Sequence, residues 1–511
     1  MGPGSVSLGL VFRRLIPAVC LIACLGAATA SAAPKGQLRH DGRWLTDRTG
    51  RVVVLHGVNM VYKVGSYRPA DSGFSADDAR FLKQHGFNTV RLGVIYKALE
   101  PKPPKNGEPR YSKAYLDSIA KTQSLLAKYG IETMLDFHQD LYNERFQGEG
   151  WPDWQVLDDG LPSQPQQGFP NNYLVNVGLN RAFDNFWADD IVAGRPIQNA
   201  YAAAWRHVAK RFAHSRHVLG YDILNEPWPG STFAGCVNPA GCPAFDTGPL
   251  HQFDRRVLEQ IRKVDRNSLV FEEPLVLFNF GSQTSVPPSG DEQTGFSFHN
   301  YCLQQQAGAE ACRPTEELVF DNADATAERT GDVPLLTEFS ATTDRQTNLD
   351  LTQMADEHMV GWQIWHYCEC SDPTTSGPGQ QSIVLNAHKP PRGKNVNRDK
   401  LRLISRPYPQ AVAGTPKHWN FDPQTNVFKL AYSTKAPGGH KLPRKRLTEI
   451  FLPRFQYRRI CPPRVVVHGG EVISRASAPV VRIRRWRGAK SVRARVKPRT
   501  GACVAPGPVA Q

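Results

Sequence analysis

The residues best placed to do chemistry are two glutamates, each delivered by a short apolar run. Leu219 to Trp228 reads Leu-Gly-Tyr-Asp-Ile-Leu-Asn-Glu-Pro-Trp, and Pro227 ends any regular structure directly after Glu226. Val333 to Ala341 reads Val-Pro-Leu-Leu-Thr-Glu-Phe-Ser-Ala and sets Glu338 in the same context 112 residues on. A glutamate at the tip of a buried strand is either paired in a structural network or kept as a working acid, with burial and neighbours setting its pKa. Either glutamate alone fits an ordinary buried ion pair. Together they are the pair that a double displacement at a sugar's anomeric carbon needs, one to exchange a proton and one to attack.

Holding two strand tips together requires a frame, and the pattern of the chain implies one. Strands are expected over Arg51 to Met60, Asn88 to Ile95, Ile131 to Phe137, the Glu226 run, Leu269 to Glu273, Gly295 to Tyr301, the Glu338 run and Gly361 to Tyr367. Helices are expected between most of them: Ser75 to His85, Ser112 to Tyr129, Ala200 to His214, Pro249 to Val264, Pro314 to Arg329 and Asn348 to His358. Leu141 to Gln198, rich in Gly, Pro and Trp, is expected to be irregular. Eight strands alternating with helices predict a (β/α)8 TIM barrel. Asn59, Arg91, His138, Asn225 with Glu226, His299 with Tyr301, Glu338 and Trp365 all fall near C-terminal strand ends, the face on which such barrels work. A doubly wound sheet would carry a glycine-rich phosphate loop after its first strand, and there is none.

Beyond Tyr367 the pattern changes. Asp372 to Asn397 reads as a linker, Arg398 to Leu403 as a short helix, and the remainder as short alternating strands of a small antiparallel β-sandwich. The domain expectation is therefore a leader over 1–32, a catalytic barrel over 38–412 and a basic sandwich over 413–511. Leu401 to Gln511 holds 23 Lys and Arg against three acids, a net +20, whereas the first 400 residues carry a net −5. Arginines alternating with valine and isoleucine fit the solvated face of a sheet; an anionic lipid or a cell-envelope polymer is the alternative partner, and no nucleic acid is expected. Arg13 and Arg14, the apolar run Leu15 to Leu25 and the small residues Ala30-Ser31-Ala32 form a secretory signal, so the chain is expected to be secreted. A lipid anchor on Cys24 is the competing expectation. The eight cysteines after the leader suggest local disulfides, Cys236 with Cys242, Cys302 with Cys312, Cys368 with Cys370, and Cys461 with Cys503, rather than a zinc site, for which the spacing is wrong.

These residues resemble glycoside hydrolase family five, and within it the endoglycoceramidase branch. The resemblance rests on His56-Gly57-Val58-Asn59 through Lys63, Val90-Arg91-Leu92-Gly93, Asp136-Phe137-His138-Gln139-Asp140, the Asn-Glu-Pro, Phe298-His299-Asn300-Tyr301, Thr337-Glu338-Phe339 and Trp362-Gln363-Ile364-Trp365. It implies Glu226 as acid/base and Glu338 as nucleophile. It also implies Arg91 beside Glu338, Asn225 on the sugar 2-hydroxyl, Tyr301 bonded to Glu338 and His299 beside the acid/base. Lys63, His138 and Asp140 would bind sugar hydroxyls and Trp365 would supply a flat face for the ring, with Trp187 as a further platform or a core residue. The implied substrate is a glycosphingolipid at a membrane or micelle surface, attacked by a monomer that needs no cofactor and no metal. A polysaccharide, a simple glucosyl lipid or a steryl lipid is the alternative substrate; a catalytically dead binding protein is the alternative class. Pro274 to Phe280 would line an apolar trough for a lipid aglycone, or else form a core turn.

Overall fold

The computed structural model describes Met1 and residues 37–304, 307–374, 381–457 and 461–499. The expected leader, Cys24 and Cys503 lie outside the described residues. Eight parallel strands close into a barrel: β1 (His56–Met60), β2 (Thr89–Val94), β3 (Glu132–Phe137), β4 (Val218–Asp222), β5 (Leu269–Glu272), β6 (Thr294–Asn300), β7 (Val333–Phe339) and β8 (Gly361–Ile364), with β8 pairing back onto β1. Nearly every strand residue is buried, as strands covered on both faces by side chains and helices must be. The surrounding helices are α1 (Ala76–Gln84), α2 (Lys113–Lys128), α3 (Val177–Trp187), α4 (Ile197–Phe212), α5 (His251–Arg262), α6 (Ala309–Thr330) and α7 (Arg345–Glu357).

Their starts are written locally. Ser75 and Asp78 close a capping box on α1, and the Ser112 hydroxyl accepts the Tyr115 N–H at the head of α2. Helix α3 departs from the expected irregular stretch. Asn176 caps it by accepting the Leu179 N–H, and Leu179, Ala182, Phe183 and Phe186 bury its apolar side among aromatic residues. The flanking Gly and Pro hide that periodicity.

After α8 (Arg398–Ile404) the chain builds β9 (Tyr408–Val412), β10 (Thr415–Asp422), β11 (Val427–Ser433), β12 (Thr448–Phe451), β13 (Arg464–His468), β14 (Gly470–Val472), β15 (Val480–Arg485) and β16 (Ser491–Lys497). Strands β10, β11, β16 and β13 form one antiparallel sheet. Strands β9, β12, β15 and β14 form the other, and three short N-terminal strands between Leu38 and Val53 extend it, with Val52 and Val53 pairing to Val412 and Ala411. Along β16, Val492, Ala494 and Val496 face the core, while Arg493 and Arg495 stand exposed on the outer face. Three of the expected local disulfides are formed: Cys236–Cys242, Cys302–Cys312 and Cys368–Cys370.

Barrel and sheets belong to one compact unit. At the N-terminal end of the barrel, the His56 ring is sandwiched between Trp362 and Tyr408, with centroids 4.1 and 3.7 Å away. On the flank, Asp356 of α7 accepts from Arg406 Nη2 (2.5 Å), Trp419 Nε1 (3.0 Å) and the Phe421 N–H (3.3 Å). All of these groups are buried. Burial raises the Asp356 pKa to about 6 against the pull of Arg406. Removing one member of a buried pair strands the other charge, whereas removing both need not destabilise. Asp356→Ala is therefore expected to cost about 3–5 kcal/mol, and adding Arg406→Met should recover most of it. Urea unfolding followed by circular dichroism measures both; a single-variant loss below about 1 kcal/mol would show that the pair does not hold the interface.

Candidate active site

Strand β4 ends at Asp222, and Ile223 to Asn225 carry the chain to Glu226, whose φ is +44°. That left-handed backbone is unfavourable for a residue with a Cβ and persists only where neighbours impose it. Here they do. The Glu226 N–H donates to Glu273 Oε2 (2.9 Å), and its carbonyl accepts from Gln139 Nε2 (3.1 Å), which also donates to the Asn225 carbonyl (3.0 Å). On the side chain, Oε1 accepts from Asn279 Nδ2 (2.8 Å) and lies 2.9 Å from His299 Nδ1.

Glu338 sits one residue before the end of β7. Its Oε1 is 2.5 Å from Arg91 Nη1 and its Oε2 accepts from the Tyr301 hydroxyl at 2.8 Å. The β6–β7 ladder slips by one residue between Phe298 and His299, which sets His299 directly opposite Glu338. His299 Nδ1 is then 3.7 Å from Glu338 Oε2 while also touching Glu226. One oxygen of each glutamate and a nitrogen of the ring all lie within 4.8 Å of one another.

Beneath them is Arg91, fully buried on β2. It contacts Asp222 (2.8 Å), Glu273 (2.8 Å), Asp136 (3.1 Å) and Glu338, and also donates to the side-chain carbonyls of Asn225 (2.9 Å) and Asn59 (3.3 Å). Burial alone would discharge a guanidinium, but Asp136, Asp222, Glu273 and Glu338 hold it charged. Its acidic neighbours are not equivalent. Burial and the field of Glu273 push Asp222 well above the carboxylate range. Glu273 resists burial because His299 and Arg91 flank it, and falls to about 2. In turn burial opposes charge on His299, yet Glu273, Glu338 and Glu226 raise it well above the ordinary imidazole value. Burial raises Glu226, and the opposing pull of His299 does not cancel it. Glu273, Gln139 and Asn279 were not singled out in the sequence; all three hold Glu226.

A second group adjoins the first. Lys63 Nζ contacts Asp140 (2.5 Å), the Thr374 hydroxyl (2.7 Å), Asp372 (3.4 Å) and Glu149 (3.7 Å), and lies 4.5 Å from the centre of the Trp365 ring. The His138 ring stacks on Trp365 and sits 2.8 Å from Asp136, whose pull overcomes burial and lifts His138 to about 10. A cavity of about 550 Å³ opens beside Lys63, walled in part by Tyr67, Glu144, Gln147 and Phe169. Trp187 is not at this site: its Nε1 donates to the Trp228 carbonyl and its ring packs on Phe245 and Phe253. Pro274 to Phe280 forms a core turn, with Leu275, Val276 and Phe278 buried and Asn279 aimed at Glu226. Two trios, His138 with Asp140 and Glu149 and Glu226 with His299 and Glu338, are close enough to share a metal ion. In the first trio the Lys63 ammonium already contacts the Asp140 and Glu149 carboxylates.

Residues 46–371 match the family model described as cellulase (glycosyl hydrolase family 5), and residues 406–497 match the glycoside hydrolase family 5 C-terminal domain. The chain belongs to glycoside hydrolase family 5. It is 32% identical over 467 residues to endoglycoceramidase I of Rhodococcus hoagii (strain 103S), covering 88% of this chain and 86% of that one. Its fold is similar to endo-glycoceramidase II from Rhodococcus sp., solved as a lactosyl-enzyme intermediate (TM-score 0.71, 28% identity, 89% of this chain and 100% of that one). The same relative was solved as a ganglioside GM3 complex (TM-score 0.70, 28% identity, 89% of this chain and 99% of that one). This family 5 chain is thus a glycoside hydrolase with a barrel and an appended β-domain.

The contact between His299 and Glu226 carries a sign. A protonated acid is lost as pH rises through its folded pKa, and the imidazolium lowers that pKa. His299→Gln is therefore expected to raise it and to move the alkaline limb of kcat/KM upward by about 1 pH unit, while lowering the maximum. The profile should be taken on a glycoside with a poor leaving group; an unmoved or lowered limb would contradict the coupling.

Proposed function

We propose that this enzyme is a retaining, endo-acting glycosidase that cleaves the β-glycosidic bond between an intact glycan and the ceramide of a glycosphingolipid. Glu226, kept protonated by burial, gives its proton to the glycosidic oxygen as the ceramide departs. Glu338 attacks the anomeric carbon and forms a covalent glycosyl-enzyme. Water then enters, Glu226 takes a proton from it, and the glycan leaves with its anomeric configuration kept. The Asn225 amide has one hydrogen on the Gln139 carbonyl (2.9 Å) and directs the other at the sugar 2-hydroxyl.

The close approach of the two carboxyl groups carries this proposal. Retention works with carboxyl groups about 5–5.5 Å apart, whereas inversion needs about 6.5–9.5 Å to admit a water. One oxygen of Glu226 lies within 4.8 Å of one oxygen of Glu338, an approach that favours the first. Capture of the Rhodococcus sp. relative as a lactosyl-enzyme supports the same chemistry. For substrate, the supports are the similarity to endoglycoceramidases and the cavity of about 550 Å³ beside Lys63; Lys63, His138, Asp140 and Trp365 are the proposed sugar ligands. Three disulfides fit an oxidising compartment, so we place the enzyme outside the cytoplasm. Activity confined to the cytosolic fraction would refute that placement.

Ganglioside GM3, galactosylceramide, glucosylceramide and a β-glucan, offered in parallel with products read by mass, test the substrate. GM3 is expected to yield its whole glycan and free ceramide, faster than any glucan oligosaccharide appears. Stepwise release of single sugars, or preferential cleavage of the glucan, would overturn the proposal.

A further inference from the structure

Four Lys or Arg side chains are deeply buried among the described residues, and three of them meet carboxylates. Arg91 touches four, Lys63 three, and Arg406 meets Asp356. Lys400 is the exception. It is 4% exposed, and its ammonium donates only to backbone carbonyls: Ser340 (2.9 Å), Trp365 (3.0 Å) and Gln381. An ammonium has three hydrogens, so its donors are used up without any anion to offset the burial. A methionine would fill the same space without that cost, which leaves the carbonyls as the reason for a charge there.

Each carbonyl belongs to a wall of the active site. Ser340 lies two residues past Glu338, in left-handed backbone at φ +67°. Trp365 directly follows β8 and stacks on His138. Gln381 is the first described residue after Thr374, which contacts Lys63 together with Asp372. The β7–β8 ladder pairs only Leu335 with Gly361 and Leu336 with Trp362, and beyond them a single backbone bond links the Trp365 N–H to the Phe339 carbonyl. Asn59 Nδ2 bridges the two strands short of their ends, donating to the Thr337 carbonyl (2.7 Å) and the Gln363 carbonyl (3.1 Å), and among the described residues no ladder pair lies past Phe339 and Trp365. Lys400 ties the chain beyond that point from outside, on a helix whose cap, Asn397, accepts the Lys400 N–H and whose own N–H is bonded to Ile383.

We propose that Lys400 is a positioning residue: its ammonium ties the end of β7 to the start of the segment after β8 and so holds Glu338 and Trp365 in working register. This rests on Glu338 being the nucleophile. Burial holds the Lys400 ammonium down at about 7, so the tie weakens as the amine forms above neutrality. His366 is the titratable neighbour that feels Lys400; burial, with Lys400 and Lys63 adding to it, keeps that imidazole neutral through the range. Ser340, Trp365 and Gln381 do not titrate.

The test is covalent trapping with 2,4-dinitrophenyl 2-deoxy-2-fluoro-β-lactoside. An oxygen of Glu338 bonds to the anomeric carbon as the bond to dinitrophenolate breaks, and that leaving group needs no proton from Glu226. In the wild type, peptide mapping should place the label on Glu338; a label elsewhere would sink the nucleophile assignment and leave the Lys400 contacts as observed. In Lys400→Met, labelling should still reach one per chain but about 10²-fold more slowly, the effect of a misplacement near 1 Å. Wild-type speed would overturn the proposal, and so would partial labelling in which the reactive fraction keeps wild-type speed, because that marks loss of fold alone. If Lys400→Met does not fold, the wild type decides: trapping should slow as pH rises through about 7 with the circular dichroism unchanged, and a rate flat across neutrality would overturn it.

Discussion

One buried cation organises the catalytic centre. Arg91 has no exposure and cannot shed its proton, so the barrel has to surround it with acceptors. Four carboxyl groups and two side-chain amides do this, and each partner is thereby fixed in place. Glu338 is oriented directly. Glu226 is oriented at one remove: Arg91 holds Glu273, and Glu273 accepts the strained Glu226 N–H and faces His299. The proposed nucleophile and the proposed acid are therefore two branches of one network.

The same network sets the proton affinity of Glu226. Around a single guanidinium the acids cannot all be charged alike. Asp222 goes up, and Glu273 goes down because the pull of His299 and Arg91 beside it outweighs its burial. The imidazolium that results lowers Glu226 less than burial raises it, so its pKa stays above the ordinary carboxylate value while it remains in contact with a donor. This is the pattern by which two glutamates a few ångströms apart take opposite roles.

Much of the frame was legible in the sequence because it is written in periodicity. Eight apolar runs mark barrel strands, and the residues named near the C-terminal ends of seven of them are the ones the structure gathers. What escaped was information that is not local. Glu273 follows Glu272 and precedes Pro274, and nothing in that order says which acid turns inward to Arg91. Gln139 lies inside a conspicuous motif, but its task is to hold another residue's backbone. Asn279 sits in an apolar segment whose hydrophobicity suggested a lining for lipid, whereas the phenylalanines fill the core and the amide is the part that reaches the site. The pairing of the N-terminal strands with the C-terminal sheet left no local trace, since Val53 and Ala411 are separated by most of the chain. Lys400 was one basic residue of a short expected helix, and only its lack of a carboxylate sets it apart.

The claim on which everything rests is that Glu226 and Glu338 are too close for a water to attack across the sugar, so that the reaction must pass through Glu338. Proton NMR of a β-glycolipid digest in its first minutes, before the free sugar equilibrates, tests it most directly. The account predicts that the β-anomer of the released glycan appears first. An initial α-anomer would mean single displacement by water and would contradict both the role of Glu338 and the geometry built around Arg91.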